Sequence, residues 1–263
     1  MKMIALGMLA ALSFLCFLYL FQDRQIYFPD NPPRAAMIAG ARRLDLTPWP
    51  GEEDFRGLLR EPRGAARGTV VLFHGNAGHA GHREWYADNL TRLGLRVILA
   101  EYPGYGSRAG SLGEKSLVAD AKETLAMVRR RFPEPLLVAG ESLGSGVAAA
   151  AAKSAEADAV LLITPWDGIA SVARHHFPWL PVGLLLRDRY DSVGNLSGYR
   201  GRVAVILAGR DSIVPPRFGR RLFESLPDPK RLQVVPAADH NDWMDRVDAE
   251  LWISVVEFLL PTA

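Results

Sequence analysis

Three polar residues in the second half of the chain have the types and order needed for acyl transfer. Ser142 lies at the centre of Gly140-Glu141-Ser142-Leu143-Gly144, and Asp211 and His240 follow it in that order. A serine hydroxyl is a weak nucleophile near neutral pH, so it needs a base to accept its proton and a carboxylate to orient that base. We predict that Ser142 is the nucleophile, His240 the base and Asp211 the orienting acid.

Other residues compete for these roles. Asp167 follows a neighbouring predicted strand, so its carboxylate could reach the same imidazole. Asp239 and Asp242 flank His240, but loop or helix capping explains them better. Ser142 could also be a plain N-cap of the helix that follows it, although a nucleophile in this position occupies the same place. The sequence favours Asp211 as the acid and leaves Asp167 as the alternative.

Acyl transfer also needs hydrogen-bond donors at the oxygen on which negative charge develops. The amide of Leu143 directly follows the predicted nucleophile and is one expected donor. The second is expected in His74-Gly75-Asn76-Ala77-Gly78, where small residues let the backbone approach a substrate. We assign it to the amide of Asn76, with Gly75 or Ala77 as alternatives, and an ordinary glycine-rich turn as the competing interpretation.

These residues follow short apolar runs that alternate with longer amphipathic segments, which indicates repeated βαβ units and an α/β fold. Strands are predicted at residues 69–73, 95–100, 135–139, 159–163, 203–208 and 231–235, after a hairpin at 44–59. Helices are predicted at residues 83–93, 112–132, 143–154, 216–226 and 242–260. Continuous apolar strands predict a mostly parallel sheet with helices on both faces, and ligands bind such sheets at the carboxyl ends of the strands.

The amino-terminal segment is apolar and uncharged from residue 3 to residue 21. A helix of this length spans a hydrocarbon layer of roughly 30 Å. A secretory signal would have a shorter apolar region and a small-residue cleavage site, whereas this segment ends in Phe21-Gln22-Asp23-Arg24. We predict a membrane anchor at residues 1–28 and a catalytic domain at 29–263. The arginines after the anchor favour a cytoplasmic domain without deciding the side.

Several function classes are excluded by composition. The 31 basic and 29 acidic residues are interspersed, so nucleic acid is not an expected partner. A single cysteine, Cys16, rules out an internal disulfide framework. No phosphate-binding loop or zinc helix is present, and the glycines of 104–109 match a dinucleotide fingerprint only loosely. The five histidines outside the predicted triad are expected to be solvated or in turns, so no metal or organic cofactor is predicted.

The region between the predicted strands 159–163 and 203–208 is expected to form a short cap at residues 165–202. Its apolar part, His175 to Leu186, could line an acyl pocket or rest on a bilayer, and we favour packing as a cap. The expected substrate is a small-molecule or lipid-like acyl compound. The sequence predicts no oligomeric state.

Taken together, the motifs resemble those of membrane-anchored serine α/β-hydrolases with a small cap and a single membrane span. The resemblance rests on Gln25-Ile26-Tyr27-Phe28-Pro29, His74-Gly75-Asn76-Ala77-Gly78, Tyr102-Pro103-Gly104-Tyr105-Gly106-Ser107, Gly140-Glu141-Ser142-Leu143-Gly144, Gly209-Arg210-Asp211-Ser212-Ile213-Val214-Pro215 and Asp239-His240-Asn241. It implies an α/β-hydrolase fold and hydrolysis of an ester, thioester or amide acyl bond by Ser142, Asp211 and His240. An acyltransferase with the same triad, or a non-catalytic ligand-binding protein on this fold, remains the alternative. Trp166-Asp167-Gly168 departs from the family, which has a Pro-Phe-Thr/Ser type segment there.

Overall fold

A computed structural model describes residues 2–261 of the chain. Residues 1, 262 and 263, which belong to the predicted anchor and catalytic ranges, lie outside the described residues. The strands are β1 (Phe28–Pro29), β2 (Thr47–Trp49), β3 (Gly57–Arg60), β4 (Gly68–Phe73), β5 (Ala77–Gly78), β6 (Leu95–Ala100), β7 (Leu136–Glu141), β8 (Ala159–Ile163), β9 (Arg202–Ala208) and β10 (Lys230–Val235). The helices are α1 (Lys2–Phe21), α2 (Asp23–Ile26), α3 (Arg34–Arg43), α4 (Glu84–Arg92), α5 (Glu114–Arg131), α6 (Leu143–Ala152), α7 (Ile169–His176), α8 (Val182–Leu185), α9 (Ser192–Leu196), α10 (Pro216–Ser225) and α11 (Ala249–Leu259).

Eight strands form one sheet in the order β10-β9-β8-β7-β4-β6-β3-β2. The six strands from β10 to β6 are parallel, and the β2–β3 hairpin joins β6 in antiparallel pairing. The chain passes from β4 to β6 on one side and then returns to β7 on the other. Because ligands bind where the strand order reverses, the ends of β4 and β7 are the expected site. The predicted parallel α/β sheet is therefore confirmed.

The two faces of the sheet are covered by separate helix layers. Along β4, Val71 and Phe73 pack in a core that includes side chains of α5 and α6. Val70 and Leu72 pack in a second core with side chains of α4 and α11. Burial on both faces explains why β4 is an uninterrupted apolar run without the polar alternation of a half-exposed strand.

Two elements differ from the sequence prediction. The helix predicted at 242–260 is divided into a 3₁₀ turn, Trp243–Arg246, and α11, because the carboxylate of Asp248 accepts a hydrogen bond from the Leu251 amide and begins a new helix. The proline-rich connector contains an additional helix, α3, which follows Pro33. Proline before the first helical turn is compatible with the helix, since its missing N–H has no partner there in any case.

Residues 164–201, between β8 and β9, contain α7, α8 and α9, and we call them the β8–β9 segment. Helix α9 packs against α6 and α10, so it belongs to the helix layer of the sheet. Helices α7 and α8 contact each other, and α8 also contacts α1. The first half of the segment therefore packs against the amino-terminal helix through α8.

Helix α1 is long and apolar enough to span a membrane. It has 20 residues, a mean hydropathy of 2.4 and none of that apolar stretch is buried against the rest of the chain. A buried core helix of similar composition would be covered by its own domain, and α1 is not. A signal sequence near an amino terminus shares this length and composition.

Candidate active site

Ser142 lies in the sharp turn between β7 and α6. Its φ of 52° and ψ of −114° are unusual for a residue that is not glycine, and such strain is concentrated at functional sites. A Cβ at Gly140 would lie 2.1 Å from the carbonyl oxygen of Gly144, and one at Gly144 would lie 2.0 Å from that of Phe73. The flanking glycines are therefore required by close backbone packing, and they allow the turn to present Ser142 at the edge of the sheet.

The structure brings together the three residues that the sequence selected. The Nε2 atom of His240 lies 2.9 Å from the Oγ of Ser142, and its Nδ1 lies 2.7 Å from the Oδ2 of Asp211. Because the carboxylate accepts, Nδ1 carries the ring proton and Nε2 is left as an acceptor for the serine hydroxyl. All three side chains are buried. The chain of hydrogen bonds has the geometry that an activated serine requires.

Backbone amides fix the carboxylate that faces His240. The Oδ1 of Asp211 accepts hydrogen bonds from the amides of Ile213, at 3.0 Å, and Val214, at 2.6 Å. Its Oδ2 remains directed at the imidazole. The sequence Asp211-Ser212-Ile213-Val214 thus forms a turn around the carboxylate, which orients it independently of the ring.

A second carboxylate ties the two loops to each other. Asp239 accepts hydrogen bonds from the amides of Ser212 and His240, each at 2.7 Å, and also from the Ser212 hydroxyl. Donation by the amides of Ser212 and His240 lowers the pKa of Asp239 below its usual value. The loop after β9 and the loop after β10 are therefore joined directly beside the imidazole.

The alternative acid, Asp167, has its hydrogen-bond partners away from His240. Its Oδ1 accepts from the Gly168 amide at 3.0 Å, and its Oδ2 is 2.9 Å from the Nη2 of Arg221. This carboxylate pairs with α10, while Asp211 contacts the imidazole. Asp242 accepts from the Asp239 amide and from Arg246, as expected for a loop residue.

The two predicted donor amides belong to residues that line one cavity with Ser142 and His240. The described hydrogen bonds include none donated by the amide of Asn76 or Leu143. The side-chain amide and the backbone carbonyl of Asn76 are hydrogen-bonded within the protein. Its Nδ2 donates to the carbonyl of Ile26 at 2.9 Å, and its carbonyl accepts from the amide of Phe28. Neither amide therefore has a protein acceptor among the described residues.

Sequence reasoning missed the partner of His74. This residue was expected to be solvated or in a turn, but it is 1% exposed, and its Nε2 lies 3.0 Å from the Oε1 of Glu101. Glu101, at the end of β6, also accepts from the amides of Ala80 and Tyr102. The buried pair supports the loop that contains Asn76. A histidine and a glutamate that directly follow two adjacent strands were the available signal.

Arg83 was also missed, although it contacts both loops of the site. Its Nε donates to the Oε2 of Glu141 at 2.8 Å, and its Nη2 donates to the carbonyl of Ala77 at 3.4 Å. Burial lowers the pKa of Arg83, but the charge of Glu141, its hydrogen bond to the guanidinium and the nearby tyrosines together outweigh burial, and the pKa lies above its usual value. The side chain links the loop after β4 to the residue before Ser142.

Asp30, His79 and His82 form a cluster whose potential ligand atoms lie within 4.8 Å of one another. The Nδ1 of His79 accepts a hydrogen bond from the Gly81 amide at 3.0 Å, so in the neutral ring its Nε2 carries the proton. A protonated nitrogen cannot ligate a metal. Ligation of a metal by Nε2 of His79 would therefore require the other tautomer and would break the hydrogen bond from Gly81. Burial, followed by the charge of His82, lowers the pKa of His79.

The cavity above Ser142 has a volume of about 420 Å³ and is mostly apolar away from the reactive groups. Its apolar lining comes largely from the loop regions and from α7 of the β8–β9 segment. These lining residues are Ile26, Phe28, Trp166, Ile169, Val172, Ala173, Phe177, Leu186, Ile213 and Val214. Such a cavity suits an apolar group attached to a polar reacting centre.

The fold and this site define a class of protein. The family model described as "Serine aminopeptidase, S33" matches residues 64–186. The chain belongs to the α/β-hydrolase family, and this membership supports hydrolase activity.

Similar proteins extend the comparison. The uncharacterized protein MT2364 of Mycobacterium tuberculosis is 32% identical over 270 residues, which cover 100% of this chain and 96% of that protein. Lysophosphatidylserine lipase ABHD12 of Danio rerio is 28% identical over 185 residues, 62% of this chain and 48% of that protein. The crystal structure of Paleococcus ferrophilus monoacylglycerol lipase has a TM-score of 0.57 and 22% identity, and covers 77% of this chain and 97% of that one. This last likeness concerns the fold.

Proposed function

We propose that the protein is a serine hydrolase that cleaves an ester, thioester or amide acyl bond through an acyl-enzyme intermediate. The observation that carries this proposal is the hydrogen-bond chain from Ser142 through His240 to Asp211, in one cavity with two available amides. A ligand-binding protein would need the cavity but not this alignment of a serine with a base and an acid.

In the proposed reaction, Oγ of Ser142 attacks the acyl carbon while Nε2 of His240 accepts the hydroxyl proton. The amides of Asn76 and Leu143 donate to the carbonyl oxygen as it becomes negative, an interaction worth about 10²–10³ in rate per donor. The protonated imidazole then gives its proton to the leaving group, and the acyl-enzyme remains. Water attacks the acyl carbon with His240 again as base, which releases the acid and restores Ser142. Asp211 stabilises the charged imidazole throughout.

The proposed substrate is a small-molecule or lipid-like acyl compound. Support comes from the apolar lining of the cavity and from the lipase names of two similar proteins. We propose that α7 and α8 act as a short cap over this cavity. The arrangement needs no metal or organic cofactor, because the protein side chains supply the nucleophile, the base and the oxyanion donors.

The test is fluorophosphonate labelling of the purified full-length protein, read by intact mass and peptide mapping. We expect one label on Ser142, and Ser142→Ala should lose both the label and ester turnover. Ser111→Ala, which changes an exposed serine in the loop before α5, should retain both. A folded wild-type protein without label would contradict the proposal and favour a non-catalytic ligand-binding role.

We also propose that α1 is a retained membrane anchor, with the catalytic domain at residues 29–263. Its length and apolar surface support this assignment. Protein expressed in its natural host should sediment with membranes and resist extraction by alkaline carbonate. Its intact mass should include residues 3–21. A soluble product whose mass lacks them would identify a cleaved signal sequence.

A further inference from the structure

An apolar groove lies between α1 and the first half of the β8–β9 segment. One wall is formed by Phe14 and Leu18 of α1, and the other by side chains of α7, α8 and the turn between them. The groove has a volume of about 280 Å³. Among the described lining residues, the polar side chains are Gln22 and Gln25. The groove is thus suited to a hydrocarbon chain and offers little to a polar ligand.

The groove adjoins the cavity above Ser142. Five residues line both spaces, namely Gln25, Ile26, Ala173, Phe177 and Leu186. The shared residues come from α2, from the second half of α7 and the residue after it, and from the residue after α8, so they lie between the two spaces. An acyl group bonded at Ser142 would reach the groove along α1 by passing between these shared side chains.

A buried glutamine holds the two walls together. The Nε2 of Gln22 donates to the carbonyl of Leu185 at 3.1 Å, and its Oε1 accepts from the amide of Arg187 at 2.9 Å. Gln22 is 7% exposed, so these bonds satisfy an amide that would otherwise be costly to bury. Arg187 also forms an ion pair with Asp23. These contacts fix the two walls of the groove relative to each other.

The mouth of the groove carries large exposed apolar side chains. Trp179 is 66% exposed and Leu184 is 84% exposed, and the ring of Trp179 stacks on Phe14 of α1 with centroids 6.3 Å apart. Exposed aromatic and aliphatic side chains beside an apolar helix indicate contact with lipid rather than water. This position places the mouth where the proposed anchor would meet the bilayer.

We infer that the groove binds the long acyl chain of a membrane lipid, which reaches Ser142 directly from the bilayer along α1. The inference rests on the proposed hydrolase function and specifies its substrate class. It gives α1 a second role, because the anchor also forms a wall of the acyl-binding site. Short acyl chains would fill the cavity alone, whereas long chains would need the groove.

The inference is tested by measuring whether the full-length protein, in detergent micelles or nanodiscs, prefers substrates with long or with short acyl chains. We compare kcat/KM for 4-nitrophenyl palmitate and 4-nitrophenyl butyrate, using the butyrate value to correct for the amount of active protein. Leu18→Trp should lower the palmitate-to-butyrate ratio at least tenfold, because the indole fills the groove. Leu20→Trp is the matched control, since Leu20 lies on the same helix, is 60% exposed and does not line the groove. It should retain the wild-type ratio.

The opposite wall provides a second pair of variants. Leu180→Trp should also lower the ratio, whereas Leu44→Trp, at an exposed leucine that lines neither the groove nor the cavity, should not. An unchanged ratio in both Leu18→Trp and Leu180→Trp would overturn the groove assignment while leaving the hydrolase intact. If the wild-type protein hydrolyses neither ester and takes no fluorophosphonate label, the proposed function itself fails and the groove assignment fails with it.

Discussion

The Nε of Arg83 donates a 2.8 Å hydrogen bond to Oε2 of Glu141, the residue immediately before Ser142. Arg83 also contacts the carbonyl of Ala77, which follows Asn76. One guanidinium therefore links the segment of the proposed nucleophile to that of the proposed oxyanion donor, although it touches neither reacting atom. We expect Arg83 to act as a positioning residue.

Replacing Arg83 should impair turnover more than binding. In Arg83→Met we expect kcat to fall roughly 10- to 100-fold with a smaller change in KM, because small displacements of reacting groups carry penalties of this size. Arg83→Lys should recover part of the loss, since it restores the charge but not the planar fork. Ester kinetics provide the measurement. Arg63→Met, at an exposed arginine, serves as control, and wild-type kcat in Arg83→Met would exclude the positioning role.

The choice between two acids can be tested by paired substitutions. Asp211→Asn should lower kcat about 10⁴-fold, because an amide no longer holds the imidazole in the tautomer that accepts the serine proton. Asp167→Asn should leave kcat near the wild-type value, since Asp167 pairs with Arg221. Steady-state hydrolysis of a soluble ester distinguishes them. The reverse order of effects would mean that Asp167 serves the imidazole during turnover.

The glycine after Leu143 should tolerate no side chain. In Gly144→Ala the new methyl group would lie 2.0 Å from the Phe73 carbonyl oxygen, so the turn must shift. We expect a loss of stability of about 1 to 3 kcal/mol and a strong loss of activity. Gly183→Ala is the matched control, because a Cβ at Gly183 has nothing within 4 Å. Denaturant unfolding measures both, and equal stability of the two variants would contradict the packing argument.

His79 should make stability depend on pH. Burial and the neighbouring His82 lower its pKa below the usual 6.5, so the unfolded state binds the proton more readily. Its stabilising contribution is thus fully present above about pH 6.5 and is lost as the pH falls through the lower folded-state value. Thermal unfolding between pH 7.5 and 5 measures the slope.

His79→Asn is the informative variant for this slope. An asparagine side chain can still accept the hydrogen bond from the Gly81 amide, so the turn that begins there retains its cap. We expect a smaller decrease in Tm between pH 6.5 and 5 than in the wild-type protein. An identical decrease would assign the pH dependence to other groups.

Much of the fold and of the proposed chemistry can be predicted from local sequence. The strand, tight turn and helix around Ser142 are encoded by an apolar run, two glycines and an alanine-rich segment, all within a few residues. Asp211 and His240 were found because residues after parallel strands meet at one edge of the sheet. The same local reasoning failed at Asp248, where a single cap divides the last helix.

The sequence by itself determined the α/β class and the apolar amino-terminal segment, and it singled out Ser142, Asp211 and His240 as the candidate triad, because each depends on periodicity or on position relative to a strand. Only the tertiary structure decided the pairing of His74 with Glu101, that of Arg83 with Glu141, and that of Asp167 with Arg221. It alone produced the groove between α1 and the β8–β9 segment. These features depend on contacts between side chains that are distant along the chain, and local patterns of apolar and polar residues do not encode which of them meet.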